Sequence, residues 1–521
     1  MPAHTSSSLS AVRDLARKQR RWLCLGALLA AVPVVLLRAQ TYDVVIVNGR
    51  VLDPESNLDA VRSVGITGRT IAAVSTERLT GRTTIDATGA IVVPGFIDLH
   101  AHGQAADVYK LRASDGVTTA LELEVGAADI DGWYRQREGG QVINYGVSVG
   151  HIPVRMAVLR DPGAFLPTGA GAHQAASTGE IAEIVRRIEQ GLDRGAVSIG
   201  AGFVYTPAAS RDELLAVFGV AGRRRAAVHA HTRRGLPGVE EAIGLAAETK
   251  APLHIVHVNS TSVGATREVL AVIDRARNQG MDVTTEAYPY TAGMTEIQSA
   301  NLDEYVGAPA ERLALLEWPR TGERLNQQLF EKYRKIGGPV VLHTNTEEMV
   351  KAAVTSPLTM IASDAYWENG IGHPRTTGTY SKVLGRFVRE QQALTLMDAI
   401  RKMTLMPARR LEARVPAMKT KGRLRTGADA DIAIVDAATV IDRSTYREPA
   451  LAPIGIRYVL VNGVAVVANG RTVDGVRPGQ PVRAPAMRDG RVELARTEKS
   501  SPHGQCETSH RSVAPSVACP W

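Results

Sequence analysis

The sequence predicts an α/β protein, a TIM-like (β/α)8 barrel with a small β-sandwich domain built from N- and C-terminal segments. Between residues 95 and 407, eight short apolar runs that end in polar residues alternate with helix-like stretches. Fully buried strands of this kind are typical of a closed parallel barrel. The flanking segments alternate like antiparallel strands instead. No cysteine lies between residues 41 and 500, so this body contains neither a disulfide nor a thiolate metal ligand.

Residues 1–40 differ from the rest of the chain. A basic stretch, Arg17–Arg21, precedes the largely apolar residues Trp22–Leu37. This order predicts a secretory signal peptide, with an uncleaved N-terminal anchor as the alternative. We therefore expect an exported protein, periplasmic or extracellular, that is bound to a membrane only if this segment is uncleaved. The segment also holds six Lys or Arg against one Asp, so the remainder is close to neutral and offers no basic face for nucleic acid.

Two β-rich segments flank the long middle of the chain. The first contains YDVVIVNGRVLD, VGITGRTIAAVS and TTIDATGAIVVPG, with NG and TG turn dipeptides between β-branched runs. A similar pattern of β-branched runs occurs near the C-terminus, in ADIAIVDAATV and IRYVLVNGVAVVANGRTV. We expect residues 41–94 and 408–485 to form one β-sandwich domain. The Ser-, Pro- and Thr-rich tail, residues 497–521, is expected to be disordered.

The barrel, residues 95–407, is predicted from eight candidate strands in chain order. They are GFIDLHAH, TTALELEVG, GVSVGHI, AVSIGAG, AAVHAHT, PLHIVHVN, VTTEAYPY and MIASDAY. Helix-like segments such as TGEIAEIVRRIEQGLDRG separate most of them. Residues 294–358, between the last two strands, are too many for a plain βα loop and predict an insertion that serves as a lid over the site.

Histidines and carboxylates recur where these strands end, which is the face of a barrel that carries chemistry. They are His100, His102, Glu122, Glu124, His151, His231, His257 and Asp364. His229 and His254 lie deeper in their strands and are expected to be structural. Any one of these side chains alone is more often structural than a ligand. Imidazoles and carboxylates meeting at one barrel mouth nevertheless form the donor set of a divalent metal, most plausibly zinc, with one or two ions.

Several stretches resemble a known family. VVPGFIDLHAH is similar to the first-strand signature of the amidohydrolase superfamily. GVTTALELEVG, GHIPVR, GAGFVYTPA, HTRRG, HIVHVN, AYPYTAG and the segments MIASDAYW, HPRTTGTYSKVLGRFVRE and GRLRTGADADIAIVDAATVIDRSTY resemble the N-acyl-D-amino-acid deacylases, or D-aminoacylase group. The resemblance covers residues 41–480 in the expected order. It implies a metal-dependent barrel that hydrolyses an amide.

The resemblance also implies roles for single residues. His231 and His257, with a carboxylate from the second strand, would hold the tighter metal, and His100, His102 and Asp364 would frame a second position. Asp364 would also accept a proton from water and pass it to the leaving amine.

Four further residues resemble positions that bind substrate in this family. Arg375 resembles the anchor for the substrate carboxylate, with a surface salt bridge as the alternative. Tyr205 and Tyr290 resemble pocket residues, with core packing as the alternative. His151 resembles a position near the substrate carbonyl, or it makes a structural hydrogen bond.

Two positions depart from the family pattern. The family usually supplies a bridging cysteine on the second strand, whereas this chain has Val125 near that place. Glu124, or failing it Glu122, is the available substitute, and strand parity points both to one face. Where the family often has a lysine after the sixth strand, this chain has Asn259.

The function that the sequence predicts is metal-dependent hydrolysis of a small-molecule amide, an N-acyl-amino acid that is expected to be D-configured. A cyclic amidase or dipeptidase on the same scaffold is the first alternative, because the cysteine-to-glutamate change alters the site. The second is a non-catalytic paralogue that retains the barrel. The sequence leaves a homo-oligomer open.

Overall fold

The computed structural model describes residues 41–368, 370–488 and 491–493. The predicted signal or anchor segment 1–40 and the predicted tail 497–521 lie outside these described residues, so both stay predictions. Among the helices that are described, none combines the length and the apolar character needed to cross a lipid bilayer.

The first sheet takes strands from both ends of the chain. Its N-terminal strands are β1 (Thr41–Asp53), β2 (Leu58–Thr67), β3 (Thr70–Ser75), β4 (Thr80–Asp86) and β5 (Ile91–Pro94). Its C-terminal strands are β20 (Ile432–Val435), β21 (Ile456–Val461), β22 (Val464–Ala468) and β23 (Arg471–Thr472). The hydrogen-bonded order is β23-β22-β21-β20-β5-β1-β2-β3, with β4 on β1. Ile71 of β3 and Leu460 of β21 share one apolar core, so the sheet folds over on itself.

Eight parallel strands form the barrel, as the alternating pattern predicts. They are β6 (Phe96–Asp98), β7 (Val117–Ala127), β8 (Asn144–Gly150), β9 (Ile199–Gly202), β10 (Val228–His231), β11 (Leu253–Ile255), β12 (Val283–Ala287) and β17 (Thr359–Ile361). Each pairs with its neighbour in the order β17-β12-β11-β10-β9-β8-β7-β6. The two end strands meet just beyond their last residues, where the backbone N–H of His102 donates to the carbonyl of Ala365 at 3.0 Å. The fold prediction is confirmed.

The longer barrel helices cover the outer face of the strands, whereas the short helix Val258–Thr261 lies at the barrel mouth. Those before β17 are α1 (Ala106–Ser114), α2 (Ile130–Arg135), α3 (His151–Leu159), α4 (Ala170–His173), α5 (Thr178–Asp193), α6 (Arg211–Arg224), α7 (Gly235–Thr249), α8 (Val258–Thr261) and α9 (Thr266–Asn278). Helix α5 shows why these segments are helical. The N–H of Ser177 donates to the Glu180 carboxylate at 2.8 Å, and the N–H of Glu180 donates back to the Ser177 hydroxyl at 3.4 Å. Ile184 and Ile188, four residues apart, are buried on one face against the barrel.

The insertion between β12 and β17 is a small unit with its own core. Its strands β13 (Gly293–Glu296), β14 (Leu316–Trp318), β15 (Glu323–Arg324) and β16 (Pro339–Leu342) form a sheet in the order β13-β16-β14-β15. A 3-10 helix (Ala300–Tyr305) and helices α10 (Ala310–Leu313) and α11 (Gln327–Ile336) complete it. The rings of Trp318 and Tyr333 stack at 4.1 Å between centroids inside this core.

Two predicted boundaries differ from the structure. Helix α12 (Glu347–Thr355) falls within the predicted insertion, but Val350 and Val354 pack in the barrel core, so the separate unit ends near residue 342. Residues 408–420, the first part of the predicted β-sandwich segment 408–485, also belong to the barrel, whereas Leu424 already packs in the core of the sheet. Leu411 and Met418 pack against barrel residues such as Leu121 and shield the apolar side chains inside the barrel from water.

The remaining elements follow β17. They are a short hairpin of β18 (Trp367–Glu368) and β19 (Ile371–Gly372), α13 (Arg375–Lys382), a π-helix (Val383–Glu390), α14 (Leu396–Met403), α15 (Leu405–Leu411), a 3-10 helix (Pro416–Thr420), and a last hairpin of β24 (Ala486–Arg488) and β25 (Arg491–Glu493).

Candidate metal centre and active site

His100 and His102 stand just after β6 and point to the same side of the chain. Two residues apart in extended backbone place side chains on one face. The two Nε2 atoms lie 3.0 Å apart, and both rings are almost completely buried. Two such nitrogens at this separation can be accommodated by a shared proton or by a cation.

Glu124 of β7 touches all four predicted imidazole ligands. Its Oε2 lies 2.9 Å from His100 Nε2 and 3.1 Å from His102 Nε2. Its Oε1 lies 2.7 Å from His231 Nδ1 and 3.8 Å from His257 Nε2. One carboxylate therefore belongs to two ligand groups at once, the first completed by Asp364.

Glu122 has a different place from Glu124. Its Oε2 lies 2.8 Å from Nδ1 of His102, and its Oε1 accepts hydrogen bonds from the backbone N–H of Val125 and of Gly126. A carboxylate on Nδ1 fixes the imidazole orientation and leaves Nε2 free to act as a ligand. The structure thus puts Glu124, and not Glu122, in both ligand groups.

Asp364 follows β17 in a left-handed backbone conformation, with a φ of 47°. Its Oδ1 lies 3.3 Å from His100 Nε2, and its Oδ2 accepts a hydrogen bond from Arg375 Nη1 at 2.8 Å. Burial raises the pKa of this carboxyl, but the positive charges of Arg375 and His100 outweigh burial and hold the pKa below its usual range. Asp364 is therefore held in its ionised form.

His257 and His231 form the other group with Glu124. His257 also has a positive φ, 34°, and its Nδ1 lies 3.0 Å from the Thr261 hydroxyl, which leaves Nε2 directed to Glu124. The Tyr205 ring packs edge-on to the His231 ring at 4.9 Å between centroids. The side chains of this group are thus oriented by neighbours that are not ligands.

Glu286 of β12 is a residue of this site that the sequence reasoning missed. Its Oε1 lies 2.6 Å from His100 Nδ1, and its Oε2 lies 3.1 Å from His254 Nε2. Burial raises its pKa, but the two imidazoles outweigh burial and lower it to about 2. The signal was a glutamate inside a buried strand, in VTTEAYPY, where an unpaired carboxylate is costly.

The two histidines that were expected to be structural lie outside both ligand groups. His254 hydrogen-bonds Glu286 and the Thr284 hydroxyl, at 3.1 and 2.8 Å. His229 packs beside it, 4.8 Å between ring centroids, and burial keeps its pKa below the usual range. Neither ring nitrogen of His229 meets a hydrogen-bond partner among the described residues.

The donor set fits a divalent metal ion. Burial lowers the pKa of His100, but Asp364, Glu124 and Glu286 outweigh burial and raise it to about 10, so the surroundings of this ring favour positive charge. A divalent cation supplies that charge without a proton, and imidazole with carboxylate is the ligand chemistry of zinc. His100, His102, Glu124 and Asp364 would hold one ion, and Glu124, His231 and His257 another.

A cavity opens above the two ligand groups. It holds about 780 Å³ of empty space, part of it open to solvent, and His102, Glu124, His231 and Asp364 form part of its wall. The insertion supplies a further part of this wall, namely Met294, Thr295, Glu296, Asn301 and Leu342. The metal ligands and the insertion therefore enclose the same space.

Of the four predicted substrate residues, Tyr205 lines this cavity. Arg375 does not, because it is buried between Asp364 and the ring of Tyr288, with Cζ 4.2 Å from the ring centroid. Its Nε and Nη2 are buried without a hydrogen-bond partner in the described chain. Such unsatisfied donors on a charged side chain are rare, and they mark a place where an anion could bind.

The structure does not bring Tyr290 or His151 to the cavity. The Tyr290 hydroxyl donates at 3.0 Å to the carboxylate of Asp442, a residue of the C-terminal segment. The Nε2 of His151 lies 2.8 Å from Glu213, which also pairs with Arg155, inside the protein. The alternatives, core packing for Tyr290 and a structural hydrogen bond for His151, describe these two buried side chains.

Comparisons with known proteins agree with this arrangement. The N-acyl-D-glutamate deacylase of Alcaligenes xylosoxydans xylosoxydans is 30% identical over 506 residues, 87% of this chain and 99% of that protein. The D-aminoacylase of the same organism is 27% identical, over 82% of this chain and 95% of that protein.

A solved structure has the same fold. The crystal structure of N-acyl-D-glutamate deacylase from Bordetella bronchiseptica, complexed with zinc and a phosphonate inhibitor that mimics the tetrahedral intermediate, superposes with a TM-score of 0.73 at 27% identity. The match covers 85% of this chain and all of that one. The amidohydrolase family model matches residues 83–467. The resemblance predicted from the motifs is confirmed: the chain belongs to the amidohydrolase family.

Proposed function

We propose that the protein hydrolyses the amide bond of N-acyl-amino acids of D configuration and uses zinc to do so. The observation that carries the proposal is the position of Glu124, whose two oxygens serve both ligand groups at the floor of one cavity. The proposal is further supported by the relatives, two of which are an N-acyl-D-glutamate deacylase and a D-aminoacylase.

Asp364 is proposed as the group that transfers a proton from the attacking water to the leaving amine. When bound, zinc would supply Lewis-acid polarisation of the amide and a water acidic enough to be deprotonated near neutral pH. Asp364 is kept ionised by Arg375 and faces the cavity, so it can accept that proton and deliver it to the departing amine nitrogen. Glu122 and Glu286 hold His102 and His100 in place through their Nδ1 atoms.

Arg375 is proposed to bind the carboxylate of the substrate, which requires that substrate binding expose its side chain, because Arg375 is buried beside Asp364 and does not line the cavity in this structure. Its Nη1 is used by Asp364, while Nε and Nη2 donate to no atom of the described chain. A carboxylate can accept from two guanidinium donors at once, which fixes its direction as well as its distance. The amide next to that carboxylate would then be oriented relative to Asp364.

The test is hydrolysis of matched substrates by protein with and without zinc. N-acetyl-D-norleucine, its L enantiomer, N-acetylpentylamine, which lacks the carboxylate, a dipeptide and a cyclic amide are compared. We expect the D derivative to be hydrolysed fastest, activity to vanish on complete metal removal, and zinc to restore it. Activity that survives complete metal removal, or indifference to every N-acyl-amino acid while a cyclic amide or dipeptide is cleaved, would contradict the proposal.

We also propose that the protein is exported, on the basic and then apolar order of residues 1–40. Fractionation of the producing cells, with mass spectrometry of the mature N-terminus, tests it. Full-length protein that remains in the cytoplasm would contradict this part without affecting the proposed reaction.

A further inference from the structure

One part of the cavity wall, away from the ligand groups, is apolar. Its apolar side chains come from the barrel loops and from the insertion: Val125, Phe165, Leu166, Met294, Leu342 and Tyr366. Phe165 lies close to the metal site, 5.5 Å from the His102 ring between centroids, and packs on Tyr366 at 5.6 Å. A long aliphatic group that starts near the ligands would run along this wall.

Glu296, the last residue of β13, is a carboxyl group in this wall. It is only 7% exposed, and its Oε2 accepts a hydrogen bond from Gln298 Nε2 at 3.1 Å. In the described part of the chain, no Lys, Arg or His forms a salt bridge with it. Burial first, and then the nearby charge of Glu368, raise the pKa of Glu296 to about 7. The group is therefore an acid that lacks a positive partner.

Other acidic side chains of the insertion do have positive partners. Glu304 pairs with Arg234 and Arg312, and Glu317 pairs with Arg324 at 3.5 Å. The absence of a cation at Glu296 is thus not a general property of this unit. A buried carboxylate without a partner is unfavourable, and a bound cation would remove part of that cost.

Arg234 is the basic side chain that lines the cavity, and its charge is already matched. Its Nη2 donates to the carbonyl and the side-chain oxygen of Asn301, at 3.0 and 2.7 Å, and its Nε lies 3.2 Å from Glu304. An acidic substrate side chain would have to compete for this arginine. It would also meet the Glu296 carboxyl on the cavity wall, with the negative charge of Glu368 nearby.

We propose that Glu296 binds the cationic end of the substrate side chain, so that the preferred substrates are N-acyl-D-amino acids with a long basic side chain. Lysine- and arginine-like side chains combine an aliphatic stem, which suits the apolar wall, with a charged end that suits Glu296. This assignment rests on the proposed function, because it specifies the substrate of the same site. It also separates this chain from its relative that is named for glutamate.

The experiment compares kcat/KM for three substrates of equal backbone, measured with the zinc-loaded protein at pH 8, where Glu296 is largely ionised. They are N-acetyl-D-lysine, N-acetyl-D-norleucine and N-acetyl-D-glutamate. We expect the lysine derivative to exceed the norleucine derivative at least tenfold, with the glutamate derivative slowest. In Glu296→Gln, the lysine-to-norleucine ratio should fall at least tenfold, mainly through KM for the lysine derivative.

Glu317→Gln is the matched control, because Glu317 is an equally buried carboxyl of the insertion that does not line the cavity. It should leave the substrate ratios of the wild type unchanged. Circular dichroism and zinc content verify that both variants are folded and loaded.

The outcomes separate the two proposals. If the norleucine derivative is hydrolysed but lysine brings no advantage, or if Glu296→Gln leaves the ratio intact, the role of Glu296 is wrong and the deacylase function stands. If the zinc-loaded protein hydrolyses none of the three, the deacylase function is overturned and the substrate assignment with it.

Discussion

Glu124 contacts four imidazoles with two oxygens, so a change at this one residue removes a ligand from both groups. Glu122, two residues earlier on the same strand, contacts a single imidazole, through Nδ1 of His102. We expect Glu124→Ala to lose metal from both positions, whereas Glu122→Ala weakens binding about 10- to 100-fold at the His102 position.

Metal content after dialysis against buffered zinc, measured by mass spectrometry of the element, checks this. The pair is a matched comparison, because both variants remove a buried carboxyl from β7. Equal zinc in Glu124→Ala and wild type, with loss only in Glu122→Ala, would reverse the assignment.

Glu296 predicts a particular dependence of stability on pH. Its pKa is about 4.5 when exposed and about 7 in the folded protein, so the folded state binds the proton more tightly. The stability linked to this proton is fully present below pH 4.5 and is lost as the pH rises through about 7. We expect Glu296→Gln, which cannot ionise, to gain about 2–3 kcal/mol of unfolding free energy relative to wild type between pH 5 and pH 8.

Urea unfolding of the two proteins at both pH values measures this difference. Glu317→Gln again serves as the control for loss of a buried carboxyl. A difference between Glu296→Gln and wild type that stays constant from pH 5 to pH 8 would show that Glu296 titrates normally.

At the scale of elements, the insertion is held together by its own core rather than by the barrel. Trp318 and Tyr333 stack nearly parallel in that core, at an interplanar angle of 7°. Trp318→Ala should cost about 3–5 kcal/mol locally. Because the insertion also supplies cavity wall, we expect hydrolysis to fall while zinc remains bound by residues of the barrel strands.

Hydrogen exchange followed by mass spectrometry can locate the effect. Faster exchange should be confined to residues 293–342, with β7 and β10 as protected as in wild type. Faster exchange spread evenly over barrel and insertion would mean that the insertion does not open independently.

Elements with a regular pattern could be predicted from the sequence, and elements that depend on contacts between distant segments could not. All eight barrel strands overlap the apolar runs, because buried parallel strands are apolar along their whole length. The ends of those runs also identified the side chains that meet at the barrel mouth. The choice between Glu122 and Glu124, by contrast, depended on which oxygen reaches the neighbouring strands.

The residues and the helix that the sequence did not place correctly also depend on contacts between distant segments. Glu286 stands inside its strand and was passed over, although its neighbours in space are His100 and His254. Tyr290 follows the same strand, but its hydroxyl donates to Asp442, a residue far along the chain. Helix α12 was assigned to the insertion because chain length alone does not reveal which core a helix joins. Single-sequence patterns carry no information on such partners.

At the scale of the whole molecule, the sheet that combines β1–β5 with β20–β23 ties the two ends of the chain together. Val459 and Val461 of β21 also belong to the main core that contains barrel residues. A chain that ends at residue 425 would leave β5 without its β20 partner and expose apolar surface on both units. We expect it to be insoluble or unfolded.

A chain that ends at residue 485 keeps all nine strands and serves as the control, since we expect it to stay folded. Soluble yield and circular dichroism of the two truncated proteins decide the point. A soluble, zinc-binding protein ending at residue 425 would show that the barrel folds without the sheet.

The pairing of β5 with β20 also determines when the terminal sheet can form during protein synthesis. Ile91–Pro94 leave the ribosome before the first barrel strand, yet their partner Ile432–Val435 is made only after the last one. A nascent chain can therefore form local helices and neighbouring parallel strands early, but this sheet must wait for nearly complete translation. If the chain is exported as proposed, this late pairing leaves the terminal sheet unformed while the chain is still being made.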